Sequence, residues 1–171
     1  MKKVIVITGG SDGLGKTLTE ELSKENNVII LATNEKKMEM VVEENNCTYK
    51  VCDVSNYDMV SNAINEIIEQ YNRIDVLINN AGLWIQEELD VNDSDRIKSV
   101  IEVNLLGTIN VSKAVIPSMK ENKDGLIKIN IGNFYFYKVP YYGGENNYLN
   151  ITRIKPIFST DNRHKRFHYL L

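Results

Sequence analysis

Val4-Ile5-Val6-Ile7-Thr8-Gly9-Gly10-Ser11-Asp12-Gly13-Leu14-Gly15-Lys16-Thr17 decides how the chain reads. Four consecutive β-branched apolar residues predict a strand buried on both faces, as in a parallel sheet. A glycine-rich turn follows and runs into a helical pattern. Strand, loop and helix N-terminus in that order bind phosphate. The glycines let the backbone approach an anion, and the N–H groups at the helix start point at it. Two ligand readings compete. Gly10 to Thr17 matches G-x-x-x-x-G-K-[ST], the P-loop pattern, in which Lys16 reaches the phosphates and Thr17 holds magnesium. Thr8 to Gly15 matches a second pattern, T-G-x-x-x-G-x-G. A glycine turn without a ligand is the bland alternative to both.

Outward from the loop, strands and helices alternate. Leu14, Leu18 and Leu22 predict a helix ending near Asn26-Asn27, and Val28 to Ala32 reads as a second buried strand. Thr33-Asn34 starts a helix over Glu35 to Glu44 with Met38, Val41 and Val42 on its apolar face. Thr48 to Cys52 is a short third strand ending at Asp53. Ser55 is the expected N-cap of a third helix that runs through Val60, Ala63, Ile64, Ile67 and Ile68 to about Tyr71. Ile74 to Asn79 is a fourth strand, and Asn80-Ala81-Gly82 a turn. A long helix is expected from Ser94 to Met119, opened by Asp93 or Ser94 and bent or ended by Pro117. Asp124-Gly125 turns the chain into a fifth strand, Leu126 to Ile131. The alternation predicts an α/β protein, a doubly wound open parallel sheet with helices on both faces. Right-handed crossovers then gather the strand ends Thr8-Gly9, Thr33, Asp53, Asn79-Asn80 and Ile131-Gly132 along one edge, where a ligand should lie.

A chain of 171 residues suits one domain. Its net charge of −3 gives no electrostatic reason to expect nucleic acid or an anionic membrane as a partner. Met1-Lys2-Lys3 leads straight into the first strand, so neither a signal peptide nor a transmembrane span is expected. Cys47 and Cys52 are the only cysteines and do not form a C-x-x-C pair, which suggests reduced thiols and a cytoplasmic protein. His164 and His168 stand four apart, but no Glu lies between them and no third ligand is evident, so no metal site is expected.

Four motifs in order separate the ligand readings. They are Thr8 to Gly15, Cys52-Asp53-Val54 after the third strand, Asn79-Asn80-Ala81-Gly82 after the fourth, and Val103-Asn104 followed by Leu105-Leu106-Gly107-Thr108 in the long helix. Together they resemble the short-chain dehydrogenase/reductase family, over about residues 3 to 150. The P-loop match then reads as overlap in a permissive pattern, because the strong fourth strand ends in Asn79 and not in the acid a magnesium shell needs. The resemblance implies a Rossmann-type NAD(P)-binding domain over residues 1–150, followed by an irregular basic tail, 151–171. It implies hydride transfer between a nicotinamide and a small-molecule carbonyl or alcohol. Gly9, Ser11, Gly13 and Leu14 would line the pyrophosphate, and Thr33 stands at the ribose end of the second strand. Asp53 and Val54 would meet the adenine, and Asn80, Ala81 and Gly82 would let the nicotinamide ribose approach. An acid after the second strand favours NAD and an Arg there favours NADP. This chain has Thr33-Asn34. Lys36 and Lys37 lie within reach of a 2′-phosphate, so NADP is favoured over NAD, although Asp12 occupies a loop position where NADP-preferring members often carry a base.

For catalysis the resemblance implies Asn104 and Tyr148. The family places a Lys four residues after its Tyr, to lower the Tyr pKa, and a Ser upstream. Thr152 stands four after Tyr148, no tyrosine in the chain has a Lys at that spacing, and Gly132-Asn133 replace the expected Ser run. A free tyrosine with a pKa of ~10 is a poor proton carrier at neutral pH. A catalytically defective NAD(P)-binding fragment is therefore the alternative to an active enzyme. The stretch from Ile151 to Leu171 has no strand–helix alternation and carries Arg153, Lys155, Arg163, Lys165 and Arg166. It is expected to be the product of truncation or a frame change after about residue 148. The family usually forms homo-oligomers through the long helix and the helix after the Tyr.

Overall fold

The computed structural model describes residues 2–85 and 93–130. Tyr148, the expected strand end Ile131-Gly132, both histidines and the basic tail 151–171 lie outside the described residues. The elements are β1 (Val4–Thr8), α1 (Gly13–Leu22), β2 (Asn27–Ala32), α2 (Glu35–Glu44), β3 (Cys47–Val51), α3 (Tyr57–Tyr71), β4 (Val76–Asn79), α4 (Ser94–Ile101), a π-helical turn (Glu102–Gly107), α5 (Thr108–Glu121) and β5 (Leu126–Ile129). The five strands are parallel in the order β3-β2-β1-β4-β5. Chain order reverses at β1, so the crevice between β1 and β4 is the switch point of a doubly wound sheet.

The two-residue period of a strand builds the two sides of the core. Val4 and Val6 of β1 and Ile29 and Leu31 of β2 pack with Val60, Ile64 and Ile67 of α3 and Val111 and Val115 of α5. Ile5, Ile7, Val28 and Ile30 face the other way, against Met38 and Val41 of α2 and Leu18 and Leu22 of α1. A sheet covered on both faces is why β1 and β2 read as unbroken apolar runs.

Element boundaries moved where side chains compete for backbone groups. α1 ends at Leu22, earlier than expected, because the Asn26 amide donates to the Leu22 carbonyl at 3.0 Å and the chain enters β2 at Asn27. Asn56, not Ser55, caps α3, accepting from Asp58 and Met59 N–H at 3.0 and 3.1 Å. Ser55 is held instead by Asp53 Oδ1, through its N–H at 2.9 Å and its hydroxyl at 2.7 Å. β3 begins and ends one residue early, β4 starts at Val76, not Ile74, and β5 ends at Ile129. The long helix does start at the Asp93 cap, but it is broken by the π-turn and not by Pro117, which α5 carries internally as far as Glu121. Ser94–Glu121 is long and apolar enough to cross a membrane by length and composition. Its Val111, Val115 and Met119, however, are buried in the core beside α3.

At the opposite edge of the sheet, Asp75 is buried and accepts the Val4 N–H at 2.7 Å and the Arg73 Nε at 2.7 Å. It fixes where β1 begins beside β4. Asp75→Ala should lower the unfolding free energy by about 3 kcal/mol, because it strands a buried N–H and an arginine together. Asp75→Asn, which keeps an acceptor, should lose clearly less. Urea midpoints equal to the parent's for both would show that this contact does not carry the strand start.

Candidate functional site

The glycine turn leaves β1 with Gly9 in the left-handed region at φ +65°. A Cβ at Gly9 would stand 2.9 Å from Ala81 Cα, so only glycine lets the turn after β4 seat against it. Gly13 is also left-handed, at φ +48°, but a Cβ there would meet nothing within 4 Å. The two positions differ in kind. Gly9 is closed by the protein's own backbone, whereas Gly13 presents an open, exposed face at the start of α1. Ser11 is buried behind it and Leu14 is exposed beside it. Asp12 caps α1, its Oδ1 accepting the Gly13 N–H at 2.8 Å.

Polar side chains tie the β1 and β4 ends together. The Thr8 hydroxyl accepts two backbone N–H groups, from Asn80 and Ala81, each at 2.9 Å. Asn80 Nδ2 donates to the Gly9 carbonyl at 3.2 Å, and Asn80 Oδ1 accepts from Asn130 Nδ2 at 2.9 Å. Asn79 donates to the Ser112 hydroxyl at 3.1 Å, while its Oδ1 is buried without a partner among the described residues. Gly82 and Leu83 continue on the exposed surface.

Asn104 lies in the π-turn, 7 % exposed. Its amide clamps one residue's backbone, accepting the Leu83 N–H at 2.7 Å and donating to the Leu83 carbonyl at 3.0 Å. Both ends of the side chain are therefore engaged in holding the segment after Gly82. A π-turn inserts one residue into the helical repeat and re-aims the side chain there, a common device at functional positions.

At the β2 and β3 ends, Thr33 is exposed and Val54 is buried. Asn110 Nδ2 donates to the Val54 carbonyl at 3.0 Å, so α5 steadies that corner. Burial, followed by the charge of Asp53, pushes the Cys52 thiol up to about 11. Burial raises the Cys47 thiol as well. Asp12 is held below the usual carboxylate range, first by its hydrogen bond from the Lys37 ammonium and then by the Gly13 N–H.

The sequence-predicted positions Gly9, Ser11, Gly13, Leu14, Thr33, Asp53, Val54, Asn80, Ala81 and Gly82 thus all belong to one edge of the sheet, and Asn104 is tied to that edge through Leu83. Tyr148 lies outside the described residues. Sequence reasoning missed the double acceptor role of Thr8, the Asn130 brace and the pairing of Asp12 with Lys37. Only Thr8 had a signal, as the first residue of the glycine pattern. The P-loop alternative is not supported. Lys16 Nζ stands 3.6 Å from Glu20 and 3.8 Å from Glu44, along α1 and toward α2, and not at the loop.

The strand order and the glycine turn at the switch point define a doubly wound dinucleotide-type fold. A family model described as short chain dehydrogenase matches residues 3–142. The chain belongs to the short-chain dehydrogenase/reductase family. It is 36 % identical over 138 residues to the 3-oxoacyl-[acyl-carrier-protein] reductase FabG of Buchnera aphidicola, covering 77 % of this chain and 55 % of that protein. It is 34 % identical over 142 residues to the 3-ketodihydrosphingosine reductase of Bacteroides thetaiotaomicron, covering 82 % and 51 %. A metagenomic short-chain oxidoreductase solved in complex with NADP superposes with a TM-score of 0.70 at 28 % identity, covering 74 % of this chain and 61 % of that one. The chain spans about half the length of the curated relatives it matches.

Two outcomes follow from this geometry. Thr8→Val removes the hydroxyl at nearly constant volume and strands two N–H groups, so it should cost about 3 kcal/mol in urea unfolding. Thr8→Ser should retain most of that stability, and a Val variant as stable as the parent would remove Thr8 from its role. Cys52 ionises less readily folded than unfolded, so its contribution is present below about pH 9 and is lost as pH rises toward about 11. The unfolding free energy should fall by about 2 kcal/mol across that window, and Cys52→Ala should flatten the fall. Parallel pH profiles for parent and variant would contradict it.

Proposed function

We propose that this chain binds NADP(H), with NAD(H) as the weaker cofactor, and that it serves hydride transfer to or from the carbonyl or alcohol carbon of a small molecule. The observation that carries the reading is the open left-handed face of Gly13 above the α1 N-terminus, at the switch point beside β4. Gly9, Ser11, Gly13 and Leu14 would hold the pyrophosphate through the backbone, with Thr33 near the ribose. Asp53 and Val54 would hold the adenine, and Asn80, Ala81 and Gly82 would border the nicotinamide ribose. When bound, the nicotinamide supplies or accepts the hydride. Asn104 positions Leu83 and the turn before it, and Tyr148 is the proposed proton carrier. Both curated relatives are named as reductases of a 3-oxo or 3-keto compound, and a ketone is the substrate class we propose here. We also infer a cytoplasmic protein. Self-association through the long helix is supported by the exposed Ile101, Leu105, Leu106 and Ile109.

A second reading has its own observation. No tyrosine in the chain has Lys four residues after it, which favours a binder without turnover. One experiment addresses both. Titration with NADPH, followed by energy transfer from Trp84 to the reduced nicotinamide, should saturate. Gly13→Asp, which places a carboxylate on the open face, should weaken binding at least tenfold. Ketone-dependent NADPH oxidation that Tyr148→Phe abolishes would favour the enzyme, and saturable binding without oxidation would favour the second reading. No saturation by a folded parent chain would overturn the cofactor reading itself.

A further inference from the structure

Four elements meet at the carbonyl of Gly9. The carbonyl leaves the end of β1 toward α1, where a Cβ on Gly15 would stand 2.1 Å from it. Asn80 Nδ2, from the turn after β4, donates to the same carbonyl at 3.2 Å. Asn80 Oδ1 accepts from Asn130 Nδ2 at 2.9 Å. Asn130, the residue after β5, is fixed in turn by its own N–H on the Asn79 carbonyl at 2.8 Å. A backbone carbonyl only accepts, and a carboxamide has one donor end and one acceptor end. Asn80 therefore turns its NH2 to Gly9 and its oxygen to Asn130, and Asn130 has to present a donor. On its other side Gly9 is pinned, its N–H donating to the Leu31 carbonyl at 2.8 Å. The Gly9–Gly10 peptide has glycine at both ends, so no Cβ opposes its rotation. The Asn80 amide is the side chain that holds its orientation. Because the peptide is planar and trans, the Gly10 N–H points away from the carbonyl, and it has no hydrogen-bond partner among the described residues.

We infer that Asn130 is a positioning residue for the dinucleotide: acting through Asn80, it holds the Gly9–Gly10 peptide with its carbonyl inward and its N–H end toward the pyrophosphate. The inference rests on the cofactor reading given above. The two orientations of that peptide differ in sign toward an anion. The one in this structure keeps the negative end of the peptide dipole turned in, and a flipped peptide sets a carbonyl against the phosphates. Asn130 selects between them because its donor decides which end of the Asn80 amide faces Gly9. Thr8 does not share this role, since its hydroxyl takes the backbone N–H groups of Asn80 and Ala81 and leaves the Asn80 amide unconstrained. The end of β5 thus reaches the turn after β1 across β4, through one side chain.

The test compares Asn130→Asp with Asn130→Ala, in NADPH titrations read by energy transfer from Trp84 and in the nuclear magnetic resonance of the Gly10 amide. A carboxylate at position 130 only accepts. It draws the NH2 of Asn80 to itself, leaves the Asn80 oxygen against the Gly9 carbonyl and turns the peptide over. Asn130→Asp should weaken NADPH about tenfold and shift the Gly10 resonance. Asn130→Ala removes the donor without reversing Asn80, so it should cost about threefold with a smaller shift. The deficit of the Asp variant should persist in about 0.5 M salt, where repulsion by the new charge is screened. A deficit that vanishes in salt would reduce the effect to charge and overturn the inference. So would an Ala variant as weak as the Asp variant, or affinities that fall only in step with urea midpoints. Should Asn130→Asp not fold, Asn130→Ala carries the test, and an unchanged affinity with an unmoved Gly10 resonance overturns the inference. If the folded parent does not bind NADPH, the cofactor reading fails and this inference falls with it. A parent that binds NADPH and an Asp variant that binds it equally well overturn this inference alone.

Discussion

The Thr8 hydroxyl is one oxygen accepting two backbone N–H groups, and the candidate site depends on it. A doubly wound sheet separates at its switch point, because the connections leave β1 and β4 in opposite directions. The gap is what admits a ligand, and it is also where the backbone loses its ladder partners. Thr8 supplies those partners from the last residue of β1, and Asn80 returns a bond to the Gly9 carbonyl. With the turn after β4 pulled in this far, Gly9 has no room for a Cβ against Ala81. Small residues on both sides follow from one hydrogen-bonded contact.

The far side of the trough is braced by a single interrupted helix. In the π-turn, Asn104 holds Leu83, and Gly107 lets the backbone close onto Val54, whose Cγ2 a Cβ would meet at 2.5 Å. One turn on, Asn110 takes the Val54 carbonyl. The segment that would border the nicotinamide and the segment that would border the adenine thus hang from one stretch, Asn104 to Asn110.

This accounts for what the sequence disclosed and what it hid. β1 and β2 were legible because burial on both faces leaves unbroken apolar runs. The Asn34 cap and the span of α2 were legible because capping is local. The third cap was misplaced by one residue because Ser55 and Asn56 are both good caps, and what separates them is Asp53 taking the Ser55 hydroxyl. The π-turn left no periodic trace, since one extra residue in twenty-eight barely shifts a helical pattern. The Asp12–Lys37 contact joins residues 25 apart in sequence and depends on β1 and β2 lying side by side, so no local reading contains it.

Most polar side chains at this edge serve the protein's own backbone. Asp12 holds Gly13, Asp53 holds Ser55, Asn80 holds Gly9 and Asn104 holds Leu83. These ties hold the described part of this edge without a ligand, which lowers the ordering cost of binding. The Asp12–Lys37 pair, exposed on both sides, opens at little cost, whereas the buried ties around Thr8 do not.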